Sequence, residues 1–136
     1  MGLFANFDIS GSAISAQSLR LNTTASNMAN ADTISSSAEQ AYRSRQPVFQ
    51  AMLGNESRPA EVGVRMLGIV ESQADVARKY DPGHMLADDQ GFVFGSNVNP
   101  VEEMANMISA SRAFQNNVEV LNTSRDLLLR ALSLGG

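Results

Sequence analysis

His84 is the chain's single histidine, and it stands in the stretch YDPGHMLADD beside Asp81, Asp88 and Asp89. An imidazole among carboxylates is a metal-type donor set. The spacing, however, has neither the D-x-D-x-D-G rhythm nor the distal Glu of a calcium loop. Asp residues shaping a turn around a solvated His are the simpler reading. With one His and no Cys there is no catalytic triad to assemble, and Ser–Lys chemistry finds only Lys79, with no motif around it. The lack of cysteine also removes disulfides, thiolate nucleophiles, Cys-ligated zinc and iron–sulfur clusters. GSAIS and LGNES lack the glycine spacing and the Lys of a phosphate loop. Glu102 and Glu103 form an acidic pair that helix-end electrostatics explains. Met104 and Met107, at helical spacing, read as packing rather than metal ligands. The expectation is a protein that is not an enzyme and takes no cofactor or metal.

The elements are more informative than the chemistry. In NPVEEMANMISASRAFQNNVEVLNT, Asn99 is a good N-cap, Pro100 sits at N1 and Glu102 at N3, an Asn version of the capping box. No Pro or Gly follows until Gly135. One heptad row holds Met107, Phe114, Leu121 and Leu128. A neighbouring row holds Met104, Ser111, Val118, Arg125 and Leu132. A helix from Pro100 to Ser133 spans roughly 50 Å, whereas a compact globule of this length is only about 35–40 Å across. Such a helix needs partners beyond its own monomer. Asn106, Asn116, Asn117, Asn122, Ser109, Ser111 and Ser124 interrupt its faces. They fit either helices that dock in one specific arrangement or residues that simply face water.

A second helix is expected from about Ser10 to Asn30, capped by Asp8 or Ser10. Ile14, Leu21 and Met28 recur every seven residues, Phe7 continues the series upstream, and Gly11, Ser18 and Ala25 form a parallel small-residue row. ADTISSSAEQ then reads as loop or disorder. The middle carries short β-like runs: YRSRQPVF, with Pro47 confining it to an edge or strand start; a loop at NESRPAEVG; VGVRMLGIVES, with Gly68 a candidate bulge; and ADDQGFVF, a turn closed by Gly91 into a short strand. The fold class is therefore mainly α with a small β-rich insert, the terminal helices pairing as an α-helical coiled coil. Residues 1–40, 41–98 and 99–136 form its three parts.

With 136 residues the chain is one domain by default. Its net charge of −4 and pI near 4.8 argue against nucleic-acid or anionic-membrane partners. The N-terminal MGLFANFDIS has no basic residue and no small-residue cleavage site, so no cleaved signal peptide is expected. Asn6 stands where a myristoylation motif at Gly2 wants Ser or Thr. No run approaches the roughly 20 apolar residues of a spanning helix, so no direct membrane insertion is expected.

DISGSAISAQSLRLNTTASNMANADT resembles the N-terminal signature of the flagellar rod, hook and hook-associated axial protein family, with Leu21, Asn27, Met28, Ala29, Asn30 and Thr33 on its pattern. The C-terminal frame of that family falls on Asn99, Val101, Met104, Met107, Ile108, Arg112, Asn117 and Thr123. AYRSRQPVF, YDPGHMLADDQGFV and SASRAF are similar to the proximal rod branch, although Met85 stands where Pro usually follows and the segment before Tyr42 lacks the usual Gly. The resemblance covers essentially the whole chain. It implies a structural subunit of the bacterial flagellar basal body, exported by the flagellar type III apparatus and polymerised into the rod that crosses the periplasm and transmits torque to the hook. Implied partners are further copies of itself, the rod proteins FlgB, FlgF and FlgG, and the rod–ring adaptor FliE. Another proximal rod subunit of the FlgB type is the runner-up. A secreted coiled-coil binding module shares the heptads but has no reason to carry both signatures.

Heptads and signatures together nominate an assembly interface. On the N-terminal helix it comprises Ile14, Leu21, Asn27, Met28 and Asn30. On the C-terminal helix it comprises Met104, Met107, Ile108, Arg112, Phe114, Asn117, Val118, Leu121, Leu128 and Leu132, behind the cap of Asn99, Pro100 and Glu102. Leu121→Asp is expected to abolish incorporation, and His84→Ala to leave motility intact.

Overall fold

A computed structural model describes residues 3–54 and 62–135. The chain runs α1 (Leu3–Ala29), β1 (Ile34–Ser35), β2 (Arg45–Met52), β3 (Gly63–Glu71), β4 (Arg78–Tyr80), β5 (Phe92–Gly95) and α2 (Pro100–Leu134). Two long helices thus flank a β-rich middle. They lie antiparallel: Asn27, near the end of α1, bonds Glu103 at the start of α2, and Arg20, two turns back, bonds Asn106.

The cap of α2 is as expected at Asn99, whose Oδ1 accepts from the N–H groups of Val101 (3.1 Å) and Glu102 (3.4 Å), with Pro100 at the first helical position. Only half of the capping box forms, because the Glu102 side chain is exposed and makes no return bond among the described residues. α1 starts seven residues before Ser10, so Asp8 and Ser10 lie inside it rather than capping it. Nothing in residues 3–9 breaks a helix, and Phe7 extends the heptad through them. At its other end, Asn30 N–H reaches back to the Ser26 and Asn27 carbonyls, and Thr33 Oγ1 donates to the Asn30 carbonyl at 2.7 Å.

The segment after α1 is not a free loop. β1 pairs with β5 through Ile34–Gly95 and Ser35–Phe94, and β4 pairs with the other edge of β5, giving an antiparallel order β1-β5-β4. Enclosed Val93 anchors this sheet, and the edge-on Tyr80–Phe92 rings and the Arg78 guanidinium over Phe92 cover it. β2 and β3 form a separate antiparallel ribbon, in which Pro47 is tolerated because both strands are edges. The register shifts opposite Val48 and Phe49, leaving Leu67 as an extra residue beside Gly68, the expected bulge. Val62 lies just outside β3. Of the loop expected at NESRPAEVG, residues 55–61, like Gly2 of the myristoylation reading, lie outside the described residues, while its last residue, Gly63, opens β3.

The ribbon sits on α1. Ser12 Oγ donates to the Ile9 carbonyl (2.9 Å) and accepts the Val64 N–H (3.1 Å). Gly63 makes this approach possible, since a Cβ there would stand 2.6 Å from Ser12 Oγ.

Candidate functional site

What holds these parts together is polar. Ala41, Val93 and Ala110 are the only fully enclosed hydrophobic side chains among the described residues. Eight polar or charged ones are enclosed: Ser10, Thr23, Thr24, Asn27, Ser44, Ser96, Glu103 and Ser124. An enclosed polar group needs hydrogen bonds, and Thr23, Asn27, Ser44, Ser96 and Glu103 make them, Ser96 Oγ to the Ala31 carbonyl and the others in two ways.

Along the helix pair, small hydroxyl and amide groups bond back to their own helix. Thr23 Oγ1 donates to the Leu19 carbonyl at 2.9 Å, and Asn117 Nδ2 to the Ala113 carbonyl at 2.7 Å. A side chain satisfied in this way behaves as a compact filler. The enclosed residues of α2, namely Glu103, Ala110 and Ser124, lie on one heptad row that also passes through half-buried Asn117. Large residues flank it.

At the junction of the helices with the insert, the polar groups bond one another. Asn27 is wholly buried. Its Nδ2 reaches Glu103 Oε1 (3.0 Å), the Arg45 carbonyl (2.8 Å) and Ser44 Oγ (3.3 Å), while its Oδ1 accepts from Tyr42 Oη (3.0 Å) and Arg45 N–H (2.9 Å). Glu103 Oε1 also accepts from Ser44 Oγ (3.3 Å) and Gln46 Nε2 (3.2 Å). Its Oε2 is buried and unpaired among the described residues. Asn97 extends the network: its Oδ1 accepts Ser44 N–H at 2.7 Å and its Nδ2 donates to the Ala74 carbonyl at 2.9 Å, a carbonyl that Arg43 also binds. α1, β2, α2 and the loops before β4 and α2 therefore meet at one node. Glu103 is thus not only a helix-end charge, because its carboxylate turns inward and gathers donors. Ser44, Asn97 and Glu103 were missed for want of a sequence signal: a Glu pair at a helix start is the commonest of patterns.

The nominated interface residues divide. Asn27 is enclosed at the node. Ile14, Leu21 and Met28 on α1 are half-buried, as are Met107, Phe114, Asn117, Val118, Leu121 and Leu128 on α2. Asn30 spends its amide on the Ser26 carbonyl (2.8 Å), ending α1. Met104, Ile108, Arg112 and Leu132 point to solvent, with Leu132 67% exposed. Of the Asn and Ser residues, Asn116, Asn122 and Ser109 face water and Ser124 is enclosed. Ser18 and Gly11 are half-buried and Ala25 is exposed, so the enclosed row of α1 runs instead through Ser10 and Thr24.

Beyond the node the molecule is open. The end of α2 exposes Leu127, Leu129, Leu132 and Leu134, so it is apolar on several sides. The chain exposes 9164 Å² in all, whereas a compact monomer of 14.6 kDa exposes about 6,900 Å². The excess of roughly 2,200 Å² exceeds what one subunit gives to two standard protein interfaces, at about 800 Å² each.

Among the described residues no group of three His, Asp or Glu side chains is placed to hold a metal ion, and no helix is long and apolar enough to cross a membrane. His84 is half-buried rather than solvated, and its Nδ1 accepts Leu86 N–H at 3.1 Å, a turn-building role.

Comparison with known proteins is consistent with this arrangement. Residues 7–34 match the family described as flagella basal body rod protein, and residues 89–134 match that described as flagellar basal body rod FlgEFG protein C-terminal. The chain is similar to the flagellar basal-body rod protein FlgC of Yersinia enterocolitica, 50% identical over 137 residues, and of Salmonella typhimurium, 47% identical over 137 residues, with 99% of each chain covered in both cases. It is also similar to that of Borreliella burgdorferi, 32% identical over 149 residues and 98% of each chain.

Proposed function

The chain belongs to the FlgC family of flagellar basal-body rod proteins and is a structural subunit of the proximal rod, and from that premise we propose how its parts serve the polymer. The terminal helices are the polymerising element. They wind as a coiled coil, and the exposed face and leucine-rich end of α2 pack against helices of neighbouring subunits. The assembly interface comprises the nominated residues of both helices, with Met104, Ile108, Arg112 and Leu132 reaching neighbours. Residues 41–98 act as a spacer unit that the node holds in fixed register. Contacts that do not close generate a helical filament, and helices lying along its axis share torsional load over many seam contacts.

Neighbours in this reading are further copies, the rod proteins FlgB, FlgF and FlgG, and the adaptor FliE. The subunit reaches the periplasm through the flagellar type III apparatus. The excess exposed surface of the single chain is the observation that carries the polymer reading. Amide hydrogen exchange on the dilute monomer tests it. Rapid exchange over the last three turns of α2 in the monomer, lost in assembled rods, is the expected result. Full protection of that segment in a monomer would point to an autonomous binding module.

A further inference from the structure

We propose that the unassembled chain pairs with a second copy through the outward side of α2, the two helices running antiparallel in one register.

Glu103, Ala110 and Ser124 mark the enclosed side of α2. Away from them a second heptad runs the length of the helix. One of its rows holds Val101, Ile108, Gln115, Asn122 and Leu129. The other runs from Met104 through Ser111, Val118 and Arg125 to Leu132. All are exposed except Ser111 and Val118, which are half-buried. Steps of three and four residues in alternation are those of a coiled-coil seam. This one is apolar at both ends and mostly polar between, an order that reads alike from either direction.

In an antiparallel pair each residue of one row faces the other row on the second helix. Setting Val101 against Leu132 places Met104 against Leu129, Ser111 against Asn122 and Gln115 against Val118, and the two-fold axis repeats every layer. Ile108 meets Arg125, whose aliphatic stem covers it while the guanidinium stays on Asp126 of its own chain, at 3.1 Å. The overlap from Val101 to Leu132 is roughly 45 Å long, and the leucine-rich end of each α2 is covered by the start of the other.

Charge selects this register. Arg112 and Glu119 are exposed, stand one heptad apart on the row that flanks the seam, and make no ion pair among the described residues. In the register above each Arg112 lies beside Glu119 of the second copy, giving two reciprocal pairs. A slip of one heptad in one direction opposes Arg112 to Arg112, and in the other direction Glu119 to Glu119. A parallel pair in register sets Arg125 against Arg125. Like charges across a seam reject all three alternatives. The contact is isologous and closes on itself, so it cannot propagate. It is a form the chain takes before joining the rod, and rod neighbours must displace it.

Sedimentation equilibrium on the purified full chain tests the pairing, with circular dichroism to confirm that each variant folds. The native chain is expected to be a dimer that dissociates on dilution. Arg112→Glu and Glu119→Arg each turn both pairs into repulsions, and each is expected to weaken the dimer at least tenfold. An equimolar mixture of the two variants restores both pairs and is expected to dimerise as the native chain does. Should either variant fail to fold, the chain carrying both substitutions decides: it is expected to dimerise, and a monomer would overturn the pairing. So would a native chain that stays monomeric up to its solubility limit or grows into open-ended polymers, a dimer indifferent to the single variants, or a mixture that stays monomeric. None of these outcomes touches the chain's place in the rod, which its relatives carry.

Discussion

The node around Asn27 and the end of α2 are built from the same helix pair yet obey opposite rules. At the node each strong donor meets an acceptor from another segment, and the bonds run between 2.7 and 3.3 Å. At the far end of α2, Leu127, Leu129, Leu132 and Leu134 meet little of their own chain. The first region meets its donors within the monomer, and the second lies open on it. In the proposed polymer, a subunit carries a defined shape into assembly and keeps its apolar surface for its neighbours.

The sharpest way to break this contrast is to disable the node. Glu103→Ala strands the donors of Ser44 and Gln46, removes one acceptor from Asn27, and is expected to cost about 2–4 kcal/mol of monomer stability by denaturant titration. Glu103→Gln, which keeps one acceptor oxygen, is expected to cost less. Equal loss in both would show that the network does not hold the node. Gly63→Ala forces its Cβ against Ser12 and is expected to cost about 1–3 kcal/mol, read as release of the ribbon from α1 by amide exchange. Asn99→Ala removes the α2 cap, at about 1 kcal/mol in the same titration. Leu132→Asp is expected to leave monomer stability within about 0.5 kcal/mol, as exposed sites do, and yet to abolish swimming on soft agar. A matching fall in stability would show that the α2 end already has a partner.

Legibility in the sequence followed the range of each interaction. The cap at Asn99, the length of α2, the turn at Gly91 and the bulge beside Gly68 depend on neighbours a few residues apart, and their residue types announce them. The enclosed heptad row through Ala110 and Ser124 was hidden because the eye follows large residues, while the closest approach of two helices selects small ones. Asn27 stood out through its signature. Its partners did not, since Glu103 and Ser44 are remote in sequence and ordinary in type. The pairing of Ile34 with Gly95 was equally silent, for a two-residue strand has no periodicity to read.

The short bonds at Asn27 have a mechanical consequence. Sliding α1 past α2 by a single residue is a movement of about 1.5 Å, which lengthens and misaligns the 3.0 Å Asn27–Glu103 bond. An apolar seam tolerates small creep because contact with one methyl replaces contact with the next. A directional network of this kind does not. The joint between helices and insert therefore resists a slip that a purely apolar seam would allow.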